Sequence, residues 1–133
     1  MKIRFIITAC YIFLFFMTGC LSRGVVPVSG YKNTFAFDDR FKRDVFVSSV
    51  SVWECDSNRI SKDHVWEIQT DEKISGENFQ VTVGEVPANF YQTIPCPPAI
   101  FHPKEEVIYK IFIVHDRPVA HFGPPYRYFY YSK

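Results

Sequence analysis

Short stretches of the chain alternate between apolar and polar residues with a period of two, which is the pattern of β-strands that bury one face. The clearest stretches are 46–55 and 107–114, and shorter ones occupy 34–37, 119–122 and 126–131. Clusters of turn-forming residues separate them. Outside the N-terminus, no stretch has the period of an amphipathic helix. The pattern therefore predicts a chain built mainly of β-strands.

A hairpin is predicted from segments 64–70 and 79–83, joined by a charged loop that contains Gly76. The next segment, 84–103, contains five prolines. Proline donates no backbone hydrogen bond, so neither a helix nor a central strand is expected there. The apolar residues of this segment are expected to cover the edge of a sheet.

Together these signals predict about seven short strands, with turns at intervals of about ten residues. The predicted fold class is all-β: a small antiparallel β-sandwich of Ig-like architecture. A small β-barrel is the alternative.

The N-terminus has a different pattern. Two basic residues precede the apolar segment 5–17, and two small residues stand before Cys20. These are the features of a signal peptide, and the apolar segment is shorter than the roughly 20 residues that a membrane-spanning helix needs. We therefore expect residues 1–19 to be a signal peptide.

The run Met17-Thr18-Gly19-Cys20 resembles the lipobox of bacterial lipoproteins, although that family usually has Leu at the position of Met17. The resemblance implies that Cys20 becomes the first residue of the mature chain and carries acyl chains such as palmitate, which would anchor it stably to a membrane. Leu21 follows, where an Asp would imply retention in the inner membrane of enterobacteria. The resemblance thus implies the outer membrane, with the protein facing the periplasm. The alternatives are cleavage by the ordinary signal peptidase and an uncleaved anchor.

These features divide the chain into a signal peptide (1–19), a lipidated tether (20–32) and a single β-sandwich domain (33–133). Gly and Pro interrupt the tether, although its valines could add a first strand. Removing residues 1–19 from the 133-residue chain leaves 114 residues, enough for one modest core. The formal net charge of +1 becomes about −1 without the two basic residues of the signal peptide. A nearly neutral chain lacks the charge that binds nucleic acid.

Two cysteines, Cys55 and Cys96, lie in the predicted domain. In an oxidising compartment, two thiols predict one disulfide. Closing this loop of about 40 residues would stabilise the fold by roughly 4 kcal/mol in the chain-entropy model. The alternative is a redox or metal-binding pair, but the wide spacing does not favour it.

No motif in the sequence predicts catalysis. The four histidines form no zinc-binding pattern, and the chain has no glycine-rich phosphate loop. The serines of segment 46–55 lack the context of a nucleophile elbow. Asp63-His64 and His115-Asp116 are interpreted as surface pairs rather than catalytic dyads. We therefore expect a protein that is not an enzyme and needs no metal or cofactor.

Aromatic residues crowd the C-terminus, and Tyr and Arg are enriched at interface hot spots. The candidate partner-binding residues are Tyr126, Arg127, Tyr128, Tyr130 and Tyr131. Three interpretations are open: a final strand that packs its rings into the core, an exposed strand that binds a protein, and a platform on which sugars stack.

The body of the chain, roughly residues 45–115, resembles a group of small enterobacterial periplasmic lipoproteins described as type VI secretion immunity proteins. The resembling segments, besides the lipobox, are Trp66-Glu67-Ile68, Gly84-Glu85-Val86-Pro87 with Phe90, and Pro103 leading to Tyr109-Lys110-Ile111. The resemblance implies a membrane-anchored binding domain that neutralises an incoming toxin. The alternative is an envelope accessory or structural lipoprotein that binds another envelope component.

Overall fold

The computed structural model describes residues 24–38, 42–116 and 126–133. These residues form eight β-strands in two antiparallel sheets. The strands are β1 (Gly24–Pro27), β2 (Thr34–Asp38), β3 (Phe46–Cys55), β4 (Ser61–Ser75), β5 (Gln80–Thr82), β6 (Tyr91–Ile94), β7 (Ile108–His115) and β8 (Tyr126–Tyr130). Short 3₁₀ turns occupy Lys42–Asp44 and Gly76–Asn78. No helix in the described part of the chain is long and apolar enough to cross a membrane.

The two sheets form a β-sandwich, as the sequence predicts. The smaller sheet has the order β1-β2-β5, and the larger has the order β6-β4-β3-β7-β8. Because the strands form two separate sheets, the barrel alternative is wrong. The valines of the predicted tether do add a first strand, β1, to the small sheet, and the proline-rich segment forms β6 at the edge of the large sheet, where only a helix or a central strand was excluded.

The core lies between the inner faces of the two sheets. Alternation along each strand sends every second side chain inward, so Val50 and Val52 of β3 are fully buried and pack with Ile111 of β7. The small sheet contributes Phe35 and Val81 to the same cluster. The expected coverage by segment 84–103 is found for two of its rings, because Phe90 and Phe101 pack against this core.

The end of β8 is tied to the small sheet. Asn33 donates a hydrogen bond to the carbonyl of Ser132 at 2.7 Å and accepts one from the amide of Ser132 at 3.0 Å. The ring of Phe129 packs against Phe35 with 4.9 Å between centroids. These contacts hold the last strand firmly at one edge of the sandwich.

The predicted hairpin of segments 64–70 and 79–83 is wrong. β4 is longer than predicted and pairs with β3 and β6, whereas β5 pairs with β2 in the other sheet. The 3₁₀ turn at Gly76 redirects the chain, since the Gly76 amide donates a hydrogen bond to the carbonyl of Val45 at 3.0 Å. The turn therefore carries the chain from one sheet to the other rather than back along β4.

The folded part begins inside the predicted tether. β1 pairs with β2 along its whole length, and its Val25 is 2% exposed. The domain thus includes residues before 33. The signal peptide with Cys20, and the strand predicted at 119–122, lie outside the described residues.

The predicted disulfide is absent, because Cys55 and Cys96 are both free thiols. Cys55 is buried at the end of β3, whereas Cys96 is exposed two residues beyond β6. β4 lies between these strands, and its Glu67 pairs with β3 on one side and β6 on the other. Cys55 and Cys96 are therefore separated by at least two strand spacings, about 10 Å. This exceeds the roughly 7 Å between Cα atoms that a disulfide tolerates.

Candidate functional site: an aromatic and cationic sheet face

The side of the large sheet that faces away from the core carries a group of aromatic rings. Cross-strand pairing aligns Tyr126 with Phe112, and Tyr128 with Lys110, across β8 and β7. The next strand places Trp53 beside Lys110. We call these five residues the β7–β8 patch. Their strand neighbours point inward, so the patch rests on a rigid part of the sandwich.

Lys110 is the centre of the patch. Its Nζ lies 4.1 Å from the ring centroid of Tyr126, 4.8 Å from that of Phe112 and 5.4 Å from that of Tyr128. Each distance is within the range of a cation–π interaction. The three rings hold the ammonium group at the surface.

A second cation reaches the patch from the turn between β3 and β4. The Cζ atom of Arg59 lies 5.1 Å from the centroid of the Tyr128 ring, and the Tyr128 hydroxyl donates to the Arg59 carbonyl at 3.3 Å. The carboxylate of Asp56 fixes this turn by accepting hydrogen bonds from the amides of Asn58 at 2.9 Å and Ile60 at 3.0 Å. Arg59 itself has a φ of +62°, a conformation that the turn imposes.

Trp53 continues the patch toward β4. Its ring stacks on the imidazole of His64 with 4.4 Å between centroids and 7° between planes. His64 Nε2 lies 3.4 Å from Glu67 Oε2, close but not aligned for a hydrogen bond. The other oxygen of Glu67 accepts hydrogen bonds from Gln69 at 2.6 Å and Thr93 at 2.8 Å. The local hydrogen bonds therefore already engage this carboxylate.

A shallow depression of about 320 Å³ lies within the patch. Ser51, which is 7% exposed, is one of its lining residues, and the other lining side chains are Trp53, Ser61, Phe112 and Val114. Because serine is small and its neighbours are large, the sheet surface dips at this point. The lining is mainly apolar and would suit an apolar side chain.

Charge is unevenly distributed over this sheet face. On this face β7 and β8 carry Lys110 and no carboxylate, whereas Arg127 pairs with the buried Ile111 and belongs to the opposite side of β8. The carboxylates Glu67 and Asp71 belong to β4, and Asp71 accepts a hydrogen bond from the Tyr91 hydroxyl at 3.3 Å. The half of the face that carries the aromatic rings is therefore cationic.

The structure divides the five C-terminal residues that the sequence singled out. Tyr126 and Tyr128 join the patch, and Tyr130, 63% exposed, continues the same side of β8. Arg127 is exposed on this edge strand, and Tyr131 packs partly against the core. The core interpretation is thus correct for Tyr131, and the other four residues are at the surface to different degrees.

Sequence reasoning missed the rest of the patch. Trp53, Lys110 and Phe112 alternate with buried residues in the two best-predicted strands, so their outward direction was readable. The sequence pattern does not show that β7 pairs with both β3 and β8. This pairing brings the three residues beside the C-terminal tyrosines. Arg59 belongs to a turn, and its position over Tyr128 leaves no signal in the sequence.

The described residues contain no group of three or more His, Cys, Asp or Glu side chains placed to hold a metal ion. Comparison with protein families, with curated proteins and with solved structures finds no match to this chain. The chemistry of the patch is therefore the basis for a functional hypothesis.

Proposed function

We propose that this chain is a lipid-anchored envelope protein that acts by binding another protein through the β7–β8 patch. The observation that carries the proposal is the group of half-exposed rings with a lysine and an arginine on a rigid sheet. Aromatic residues and arginine are enriched in protein interfaces, and they provide contact area with little loss of side-chain entropy.

The geometry of the rings favours a protein over a glycan. A sugar stacks on the open face of an aromatic ring, but the rings of Tyr126, Tyr128 and Trp53 each already have a group of the chain against one face. Lys110 lies over Tyr126 and Tyr128, and His64 lies against Trp53. The ring edges and the apolar depression remain for contact, and they suit side chains of a protein.

The proposed anchor is the acylated Cys20 that the lipobox resemblance implies. β1 begins at Gly24, only four residues later. An extended chain spans at most about 3.6 Å per residue, so the sandwich would begin within about 14 Å of the anchored cysteine. Such a short connection would keep the domain close to the membrane surface on the periplasmic side.

The specific role that we propose is immunity: occlusion of a toxin that reaches the periplasm by type VI secretion. A non-enzymatic sandwich with an exposed hot-spot patch suits tight occlusion, in which the partner's surface is covered rather than chemically altered.

A competition assay tests this role. Cells lacking the gene are mixed with their parent strain in close contact, and are then complemented with the wild-type chain or with the double variant Tyr126→Ala/Tyr128→Ala. Immunity predicts that the gene-deleted cells are killed by the parent, that the wild-type chain rescues them, and that the patch variant rescues poorly at equal abundance. An envelope defect in pure culture, without a competitor, would instead indicate the accessory role.

A further inference from the structure

We infer that the β7–β8 patch recognises an acidic protein segment, which places one apolar side chain in the depression at Ser51 and a carboxylate beside Lys110. This inference rests on the proposed protein-binding function and goes further by assigning the chemistry of the partner. It follows from charge complementarity and from the spacing of the two features.

The cations of the patch are not neutralised within the described part of the chain. Neither Lys110 nor Arg59 forms an ion pair with a carboxylate there, whereas Arg43 pairs with Glu77 at 2.8 Å elsewhere on the surface. The strands β7 and β8 contribute no acidic side chain. An incoming carboxylate would therefore meet positive charge at β7 and β8, while the acidic residue Glu67 lies across β3 from them.

The rings increase the effect of these charges. Apolar surface around an ammonium group lowers the local dielectric constant once a partner excludes water, and this strengthens a charge-assisted hydrogen bond. Lys110 Nζ is already held over three rings, so little side-chain freedom is lost when a carboxylate binds it. The site is preorganised for an anion.

The apolar and cationic features have a fixed spacing. Phe112 lines the depression, and Lys110 stands two residues earlier on β7. Two residues of a strand span about 6.6 Å. An extended partner with an acidic residue two positions from a large apolar residue would match both features at once. Arg59, which lies over the Tyr128 ring, offers a second position for a carboxylate.

A protein segment fits this combination better than other anionic partners. Nucleic acid is disfavoured by the nearly neutral chain. A lipid headgroup would satisfy the cations but would not fill a depression of about 320 Å³ in the middle of a sheet face. A peptide side chain does both.

Matched synthetic peptides test the inference directly. The acidic probe is Thr-Glu-Thr-Leu-Thr-Glu-Thr with blocked ends, whose pattern reads the same in both strand directions. In two further peptides, Gln or Lys replaces both Glu residues. Each is titrated at low salt into the full chain in neutral detergent micelles. Trp53 fluorescence reports binding, because the only other tryptophan, Trp66, is fully buried in the core.

We expect the acidic peptide to bind about tenfold more tightly than the Gln peptide, and the Lys peptide to bind most weakly. Lys110→Gln should remove most of the difference between the Glu and Gln peptides. The matched control is Lys73→Gln on β4, whose Nζ lies over the Phe46 ring at 5.7 Å, and it should leave the difference intact. Arg59→Gln, in an exposed turn, provides a second test if Lys110→Gln weakens folding.

Equal affinity for the Glu and Gln peptides would overturn the inference, as would an unchanged preference in both Lys110→Gln and Arg59→Gln. If phosphatidylglycerol mixed into the micelles displaces the acidic peptide with the same dependence on Lys110, the patch is assigned to lipid headgroups and the inference is also overturned. If patch variants lose rescue in the competition assay while the peptides show no charge preference, the proposed function stands and the assigned partner chemistry fails.

Discussion

Two tryptophans show how the position of a single residue in a strand decides its role. Trp66 points inward from β4, is fully buried and stacks on Phe101 with 6.5 Å between centroids. Trp53 points outward from β3 and stacks on His64. The same side chain therefore serves the core at one position and the surface patch at the other.

We predict that Trp66→Ala lowers the free energy of unfolding by about 4 kcal/mol, because it removes the largest buried side chain and leaves a cavity. Trp53→Ala should cost only about 1 kcal/mol, since it loses mainly one stacking contact on a half-exposed face. Urea unfolding of both variants measures the difference. Equal costs would contradict the assignment of the two residues to core and surface.

Among the described residues, Tyr109 is the titratable side chain buried most deeply in the core, at 1% exposure. Burial raises the pKa of its hydroxyl and the nearby Glu54 adds to the rise, while the hydrogen bond from the Lys104 amide at 2.9 Å opposes it. The unfolded chain releases this proton at about pH 10. Above that pH the folded state holds more protons than the unfolded state, so its stability falls as pH rises through the folded pKa.

Raising the pH from about 9 to about 11 should therefore destabilise the wild-type chain more than Tyr109→Phe. The variant should start about 1 kcal/mol less stable at neutral pH, because the Lys104 amide loses its acceptor. Urea unfolding midpoints of the two proteins are measured at a series of pH values. The titration of all other groups is common to both proteins and cancels in the difference between their midpoints. Parallel curves for the two proteins would show that Tyr109 does not control alkaline stability.

The two free cysteines differ in solvent exposure, and chemical modification can measure this difference. Cys96 is exposed, whereas Cys55 is buried with its thiol near the carbonyl of Trp53. We predict that a thiol reagent modifies Cys96 in the folded protein and modifies Cys55 only after unfolding. Peptide mass mapping before and after denaturant checks this. Recovery of a Cys55–Cys96 linked peptide from non-reduced protein would restore the disulfide that the sequence predicted.

At the scale of elements, the period of two located β3 and β7 well, whereas β4 extends beyond the predicted segment 64–70 at both ends. β3 has the predicted bounds, and β7 is displaced by one residue. The pairing between strands was predicted less well. The alternation of a strand indicates which of its faces is buried but not which other strand lies beside that strand. The hairpin error arose at Gly76, where the sequence signal of a turn was correct and the direction of the chain after it was not.

Gly76 lies at the junction between the two sheets, where the packing leaves no room for a larger side chain. A Cβ atom at this position would lie 2.7 Å from Val45 Cγ2 and 3.0 Å from the Lys42 carbonyl. We predict that Gly76→Ala costs about 2 kcal/mol of folding stability through overpacking. The control is Gly84→Ala, where a Cβ would meet no atom within 4 Å but φ is +90°; there the cost should come from backbone strain alone, about 1 kcal/mol. Thermal or urea unfolding ranks the two, and a harmless Gly76→Ala would show that the junction is not tightly packed.

At the scale of the molecule, the sandwich class followed from strand number and the lack of helical period, but the β7–β8 patch did not. Its five residues come from three strands whose adjacency depends on long-range pairing. Only the tyrosines of β8 attracted attention in the sequence, because they are clustered there. The lysine and the tryptophan that complete the patch are ordinary members of alternating strands, and the fold alone makes them neighbours.

The central claim is that the β7–β8 patch binds a protein, and capture from detergent-solubilised envelopes tests it most directly. Three tagged baits are compared by quantitative mass spectrometry: the wild-type chain, Tyr126→Ala/Tyr128→Ala, and Tyr91→Ala on the opposite edge strand β6 as the matched control. We expect one protein in near-stoichiometric amount on the wild-type and Tyr91→Ala baits, reduced about tenfold on the double variant, as the loss of two hot-spot residues implies. Equal recovery on all three baits, or no protein enriched over the tag alone, would contradict the account.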